Sequence, residues 1–186
     1  MKDNPDYNAT AKVLHWLPVI LILIQFPLGF LMPPTGRHSM PSASVNLHFS
    51  IGFVILILFT IRLGWRLAYP VAMEPSLDAW QKKLAHTAHW ILYLLTFATL
   101  LDGWIHASVR GWPIRFFGLI PVPPICPAGS EIAHFIGKFH KGFALTLLAG
   151  IAVHFAGVMY HEFVQDDRIL ERMLPRNARG WRMRFS

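Results

Sequence analysis

The stretch FIGKFHKGFALTLLAGIAVHFAGVMYHEF, from Phe135 to Phe163, is largely apolar yet carries two histidines in its interior, His140 and His154. Fourteen helical residues cover almost four turns, so the two imidazoles point to nearly the same side and lie about 21 Å apart along the axis. One helix would then offer a ligand near each face of a membrane whose hydrocarbon core is about 30 Å thick. Haem iron takes a neutral imidazole nitrogen on its axis, so two such levels point to a path of two haems.

Working outward, three more stretches are long and apolar enough to cross a membrane, which takes roughly 20 helical residues each. The spans are placed at residues 12–32, 47–68, 84–107 and 135–163 of a 186-residue chain that fits a single domain. A hydrophobic content of 54% and a mean hydropathy of +0.41 exclude an ordinary soluble core. The expected fold is all-α, an integral membrane four-helix bundle with two b-type haems between its helices. The first span carries His15 and Gln25 and lacks a small-residue cleavage site, so it is read as a retained span rather than a signal peptide.

The net charge of +7 would suggest nucleic acid in a soluble protein. Its distribution explains it better. Lys2, Lys12, Arg62, Arg66, Lys82, Lys83 and the run Arg168, Arg172, Arg176, Arg179, Arg182, Arg184 flank one side. The other side has only Arg37, Arg110, Arg115, Lys138 and Lys141. The positive-inside rule then gives an N-in, C-in topology in a bacterial inner membrane, with the basic tail 166–186 anchoring at lipid headgroups and no nucleic-acid partner. Trp16, Trp65, Tyr69, Trp90, Trp104 and Tyr160 fall near span ends, as interfacial belts do.

Cys126 is the single cysteine, and no Cys-x-x-Cys-His signature is present, so haem would be held without a thioether link and no iron–sulfur cluster by this chain alone. The first loop, Pro33 to Asn46, reads as a turn region. The third loop, from about Ser108 to His134, is the long one, and Gly111-Trp112-Pro113 and Pro121-Val122-Pro123-Pro124 exclude a continuous helix. Its apolar segment Ile114 to Ile120 is too short to span and is expected on the membrane surface or folded over the bundle, as a lid on the outer site. After Asp166 the tail suits a short surface helix up to Leu174, ended by Pro175.

Ten histidines are present, and most lie in or at the ends of spans, where an ionisable group is costly and marks function. Sorting by depth puts His48 and His140 near the outside and His15, His89 and His154 nearer the inside. His48 with His140 forms the outer haem site. His154 is one inner ligand, and its partner is either His15 or His89. His86, His89 and His161 are candidates for a quinone headgroup, which needs hydrogen-bond donors and a proton path at the membrane edge. His161 follows His154 by seven residues and would share its face. His38, His106 and His134 read as loop or interface residues. Zinc is poorly supported, because the histidines fall at two levels and no cysteine or carboxylate completes a tetrahedron. Arg62, Arg66, Arg110, Arg115, Lys138 and Lys141 are candidates to pair with haem propionates. Gly29, Gly52, Gly150 and Gly157 would let a flat macrocycle or another helix come close.

The strings Leu14-His15-Trp16, Leu47-His48-Phe49-Ser50-Ile51-Gly52, Ala88-His89-Trp90-Ile91-Leu92-Tyr93-Leu94-Leu95 and His154 to His161, with Asp166-Asp167 and Arg172-Met173-Leu174, resemble the prokaryotic cytochrome b561 family over nearly the whole chain. The resemblance implies a four-helix bundle holding two b haems. Similar di-haem subunits hold the inner haem between helices one and four and the outer between two and four, which favours His15 over His89 as partner of His154. One member of the family is a superoxide oxidase that passes electrons to ubiquinone.

The expected function is transmembrane electron transfer through two bis-histidine haems, with His15, His48, His140 and His154 on the irons. Electrons would pass between a small-molecule or protein donor outside, superoxide among the options, and ubiquinone. This leaves open an oxidoreductase or a pure electron carrier, with no catalytic side chain assigned, and a homodimer as one assembly. The alternative is an anchor subunit that docks a soluble dehydrogenase or hydrogenase. A haem-free transporter is disfavoured, because four short-looped spans lack an inverted repeat.

Overall fold

The computed structural model describes residues 7–33, 40–71, 77–167 and 169–174. Lys2, the stretch with Arg37 and His38 that was expected to turn, Arg168 and the basic tail beyond Leu174 lie outside the described residues. Six helices and one small hairpin follow in order: α1 (Ala9–Leu31), α2 (Ala43–Ala68), α3 (Ala79–Val109), β1 (Arg115–Phe116), β2 (Ile120–Pro121), α4 (Glu131–Ile136), α5 (His140–Tyr160) and α6 (Ile169–Met173). Four helical runs are long and apolar enough to cross a membrane, the fourth being Glu131–Gln165. The mostly helical chain is therefore a membrane four-helix bundle, as its hydropathy requires.

The helices start earlier than apolarity alone indicates, because their caps are polar. The Asn8 side chain accepts from the Ala11 N–H at 2.9 Å, and the Ser42 hydroxyl accepts from the Val45 N–H. Asp78 and Gln81 form a reciprocal capping box. Each cap satisfies backbone donors left bare by the helix start, so α1, α2 and α3 begin at Ala9, Ala43 and Ala79 rather than at 12, 47 and 84. Pro18 and Pro27 sit inside α1, which a membrane helix tolerates when neighbours satisfy the freed carbonyls.

The fourth run is helical throughout but not uniform, which refines the single span expected at 135–163. Between α4 and α5 lies a 3-10 turn, Gly137–Phe139, and α5 ends in a π turn, His161–Gln165, closed by Asp166 in the left-handed region (φ 55°). Gly137 has a packing reason: a Cβ there would sit 3.1 Å from both Cα and Nδ1 of His106.

α1 packs closely along α2, and α3 along α5, with a lighter seam between α2 and α3. By contrast, α1 and α5 barely meet. Buried side chains are few and concentrated along the interior: Leu14, Val45, Ser50, Ile51, Ile55, Tyr93 and Leu147. Leu23, Leu31, Leu94 and Val153 point outward, as expected where lipid is the solvent.

One end of the bundle, the terminal end, brings together the start of α1 and the end of α6. Lys12 Nζ donates to the Leu174 carbonyl at 2.7 Å, and Trp16 Nε1 to the Met173 carbonyl at 2.9 Å, so α6 is stapled to the start of α1. At the loop end the segment after α3 folds back over the bundle, as expected for Ile114 to Ile120. β1 and β2 pair antiparallel, and the turn between them places Phe117 (φ 47°) and Gly118 (φ 76°) in the left-handed region. Phe117 tolerates this strained conformation because its N–H donates at 2.8 Å to the hydroxyl of fully buried Ser50 on α2. Trp104 Nε1 donates to the Pro123 carbonyl, and the Ser108 hydroxyl accepts from the Ile125 N–H.

Candidate functional site

At the loop end His48 and His140 face each other across the bundle, with ring centres 6.1 Å apart and planes at 85°. The Ser42 cap fixes the start of α2 and hence the depth of His48; the 3-10 turn delivers His140 as the first residue of α5. Both rings press on glycine backbones. A Cβ at Gly29 would lie 3.1 Å from His48 Cε1, and one at Gly103 would lie 2.9 Å from His140 Cε1. Real Cβ atoms essentially never come as close as 2.9 Å, so a side chain at Gly103 on α3 would force His140 to shift, and one at Gly29 on α1 would crowd His48 by a few tenths of an ångström.

His140 Nδ1 lies 3.0 Å from the Thr99 carbonyl. A carbonyl only accepts, so Nδ1 carries the proton and the lone pair is left on Nε2, as a metal-binding histidine needs. Gln25 Nε2 donates to the His48 carbonyl at 2.7 Å, tying α1 to α2 at the same level, while His48 Nδ1 is buried without a hydrogen-bond partner among the described residues. A cavity of about 280 Å³ opens here, lined by Gln25, Gly29, His48, Gly52, Gly103 and His140, with Trp112 and Ile114 of the covering loop.

At the terminal end the ring pair in contact is His89 on α3 with His154 on α5, 5.5 Å apart at 63°. His15 on α1 lies within electrostatic reach of both, and of Arg62; its own ring contact is with Trp16 at 5.3 Å. All three expected inner histidines thus converge at one level. His89 Nδ1 is another buried atom without a partner among the described residues.

The remaining predicted residues are more dispersed. His161 Nδ1 pairs with Asp167 Oδ2 at 2.8 Å. It begins the π turn, so the regular α register from His154 ends at Tyr160, just before it. His86 is exposed and accepts from Trp90 Nε1 at 2.9 Å. His106, expected at a loop or interface, lies inside α3, lines the cavity and bonds the Gly137 carbonyl through Nδ1 at 2.7 Å. At the loop end Arg110 lies over the Trp112 ring at 4.9 Å, and Lys138 and Lys141 are exposed.

Several residues of the site were not singled out by sequence reasoning: Thr99, Gly103, Tyr93, Asp102 and Glu162. Thr99 and Gly103 are one helical turn apart, a spacing of small residues that could have drawn attention to that face of α3. Asp102 and Glu162 are buried, with no hydrogen-bond partner for either carboxyl among the described residues.

The prokaryotic cytochrome b561 family matches residues 6–176 of the chain. This chain belongs to that family. It is therefore a bacterial membrane b-type cytochrome that transfers electrons. A cytochrome b561 homologue of Escherichia coli K12 is 29% identical over 183 residues, covering 95% of each chain. A protein of Yersinia pestis named probable superoxide oxidase CybB is 30% identical over 93% of this chain and 98% of its own. Cytochrome b562 of Cereibacter sphaeroides is 25% identical over 94% and 98%.

The residues present fit the b-type haem that family membership implies. A metal–imidazole bond is about 2 Å and the ring centre lies about 1 Å further, so two imidazoles on one metal have centres about 6 Å apart. His48 and His140 stand at 6.1 Å, with one partnerless Nδ1, one correctly protonated Nδ1 and a glycine beside each ring. Among the described residues no three His, Cys, Asp or Glu side chains converge as a metal site. Pairs of histidines suit haem, whose porphyrin supplies the other four ligands.

Proposed function

We propose that this cytochrome carries single electrons across the bacterial inner membrane through two b haems, from a donor at the loop end to ubiquinone near the terminal end. The observation that supports the reading is that α5 presents His140 and His154 at two levels, the first facing His48 and the second meeting His89, with His15 at the same level. His48 and His140 would hold the outer haem. His154 would hold the inner one with His15 opposite, because a planar macrocycle needs room between the helices that clasp it: α1 and α5 barely meet, whereas α3 and α5 are tightly packed. His89 then stands beside the inner site as a hydrogen-bonding neighbour.

Bound at these levels, haem supplies reversible one-electron iron chemistry. The chain does the rest. An iron held by two of these histidines would have no place left for oxygen, which favours electron transfer over oxygen activation. The Thr99 carbonyl holds His140 in the ligating tautomer. Arg110, Arg115, Lys138 and Lys141 give the loop end a positive field that draws an anionic donor, and superoxide is the anion that the Yersinia relative's name supports. At the terminal end His89, His86 and the His161–Asp167 pair provide donors and a proton route for a quinone headgroup. The distribution of basic residues supports the N-in, C-in orientation that makes the loop end periplasmic.

Stopped-flow mixing of the purified protein with superoxide tests the donor. The expected result is appearance of the reduced haem b spectrum within the mixing experiment and its reversal on adding a soluble ubiquinone analogue. Absence of reduction by superoxide, with normal reduction by quinol, would contradict the proposed donor.

A further inference from the structure

Arg62 and Arg66 lie one turn apart near the end of α2, and both guanidinium carbons stand 5.9 Å from the centre of the Tyr93 ring. Tyr93 is only 6% exposed, and its hydroxyl accepts from Arg62 Nε at 3.0 Å. A terminal nitrogen of Arg62 donates to the Leu14 carbonyl at 3.2 Å, next to His15. The two cations are thus held by α1 and α3 against the inner histidines: Arg62 within electrostatic reach of His15, His89 and His154, and Arg66 of His89.

Among the described residues neither arginine has a carboxylate within ion-pair distance. Like charges at i and i+4 repel, and half-buried cations are costly without an anion. Among the described residues Arg62 uses two of its five N–H donors, which leaves a fork of donors toward an oxyanion. Nothing else in the described molecule combines two unpaired cations, a buried hydroxyl and this proximity to ligating groups.

Building on the haem assignment above, we propose that Arg62, Arg66 and Tyr93 form an anion clamp that takes a carboxylate, namely a propionate of the haem held by His154. The clamp anchors the group edge-on while the histidines hold its centre. A bidentate guanidinium–carboxylate pair adds geometric specificity as well as energy, and a lysine cannot reproduce it. A lipid phosphate shares the oxyanion chemistry and is the competing source.

The test uses the full-length protein purified in detergent, wild type beside Arg62→Gln, Arg62→Lys and Tyr93→Phe. Haem per chain, the two midpoint potentials and the propionate bending bands in resonance Raman are measured. The clamp predicts that Arg62→Gln loses up to one of two haems or shifts one midpoint and one propionate band, with the other component unmoved. Arg62→Lys should recover part of the change, and Tyr93→Phe should move the same component less. Two haems with both midpoints and bands unchanged in Arg62→Gln would overturn the clamp while leaving the electron-transfer reading intact. A wild-type protein with no haem would overturn both. A midpoint that moves in wild type, but not in Arg62→Gln, when anionic phospholipid vesicles are added would assign the clamp to lipid phosphate and also overturn the proposal.

Discussion

Gly103 tests the outer site most finely, because a single methyl group decides whether His140 keeps its place. In Gly103→Ala the new Cβ would lie 2.9 Å from Cε1 and 3.1 Å from Nδ1 of His140, so the ring must move and the Thr99 bond must stretch or break. Overpacking of this kind costs about 1–3 kcal/mol. The expected outcome is a variant that retains the inner haem and loses or shifts the outer one, read by pyridine haemochrome count and redox titration; an unchanged outer component would mean that the backbone gives way instead. The approach of His48 to His140 was legible in the sequence, since depth and spacing grouped them, whereas the neighbour of His154 was not, because both His15 and His89 reach its level and the ring in contact is His89. The shell around it was not. That the Thr99 carbonyl orients His140 follows from how α3 meets α5, and backbone acceptors carry no side-chain signal.

Two elements carry the function, α5 and the hairpin over the outer end. The helical register of α5 keeps His140 and His154 on one face, so one alanine inserted after Gly150 rotates everything beyond it by about 100°. Such an insertion should cost one haem and spare the one at His140; retention of both would contradict a shared face. The hairpin depends on Ser50, whose hydroxyl accepts from Phe117 and donates to the Asn46 carbonyl at 2.7 Å. Ser50→Ala should destabilise the cover by about 1 kcal/mol and speed reduction of the outer haem by a water-soluble anionic donor such as dithionite, measured by stopped flow. An unchanged rate would show that the hairpin does not limit access. The chain's composition revealed the spans because twenty apolar residues have few other fates, and it left the segment Ile114 to Ile120 either on the membrane surface or over the bundle, the second of which the Phe117–Ser50 bond selects. It did not reveal the helix starts, which polar caps carry outward from the apolar runs, nor the 3-10 and π turns flanking α5. Those depend on packing against His106 and on the closure at Asp166.

The molecule as a whole is asymmetric between its two ends. The start of α1, α6 and the arginines of α2 gather at one end, and the hairpin and long loop cover the other. A C-terminal fusion to green fluorescent protein should fluoresce in cells and the matching alkaline phosphatase fusion should be inactive; the reverse pattern would invert the proposed direction of the electron path. The central claim is that one helix supplies a ligand to each of two haems. It is tested most directly by counting haem per chain in purified wild type and His140→Ala, with low-temperature electron paramagnetic resonance on the same samples. The account predicts two low-spin haems in wild type and one, still low-spin, in the variant. A single haem in wild type, or two in His140→Ala, would contradict it.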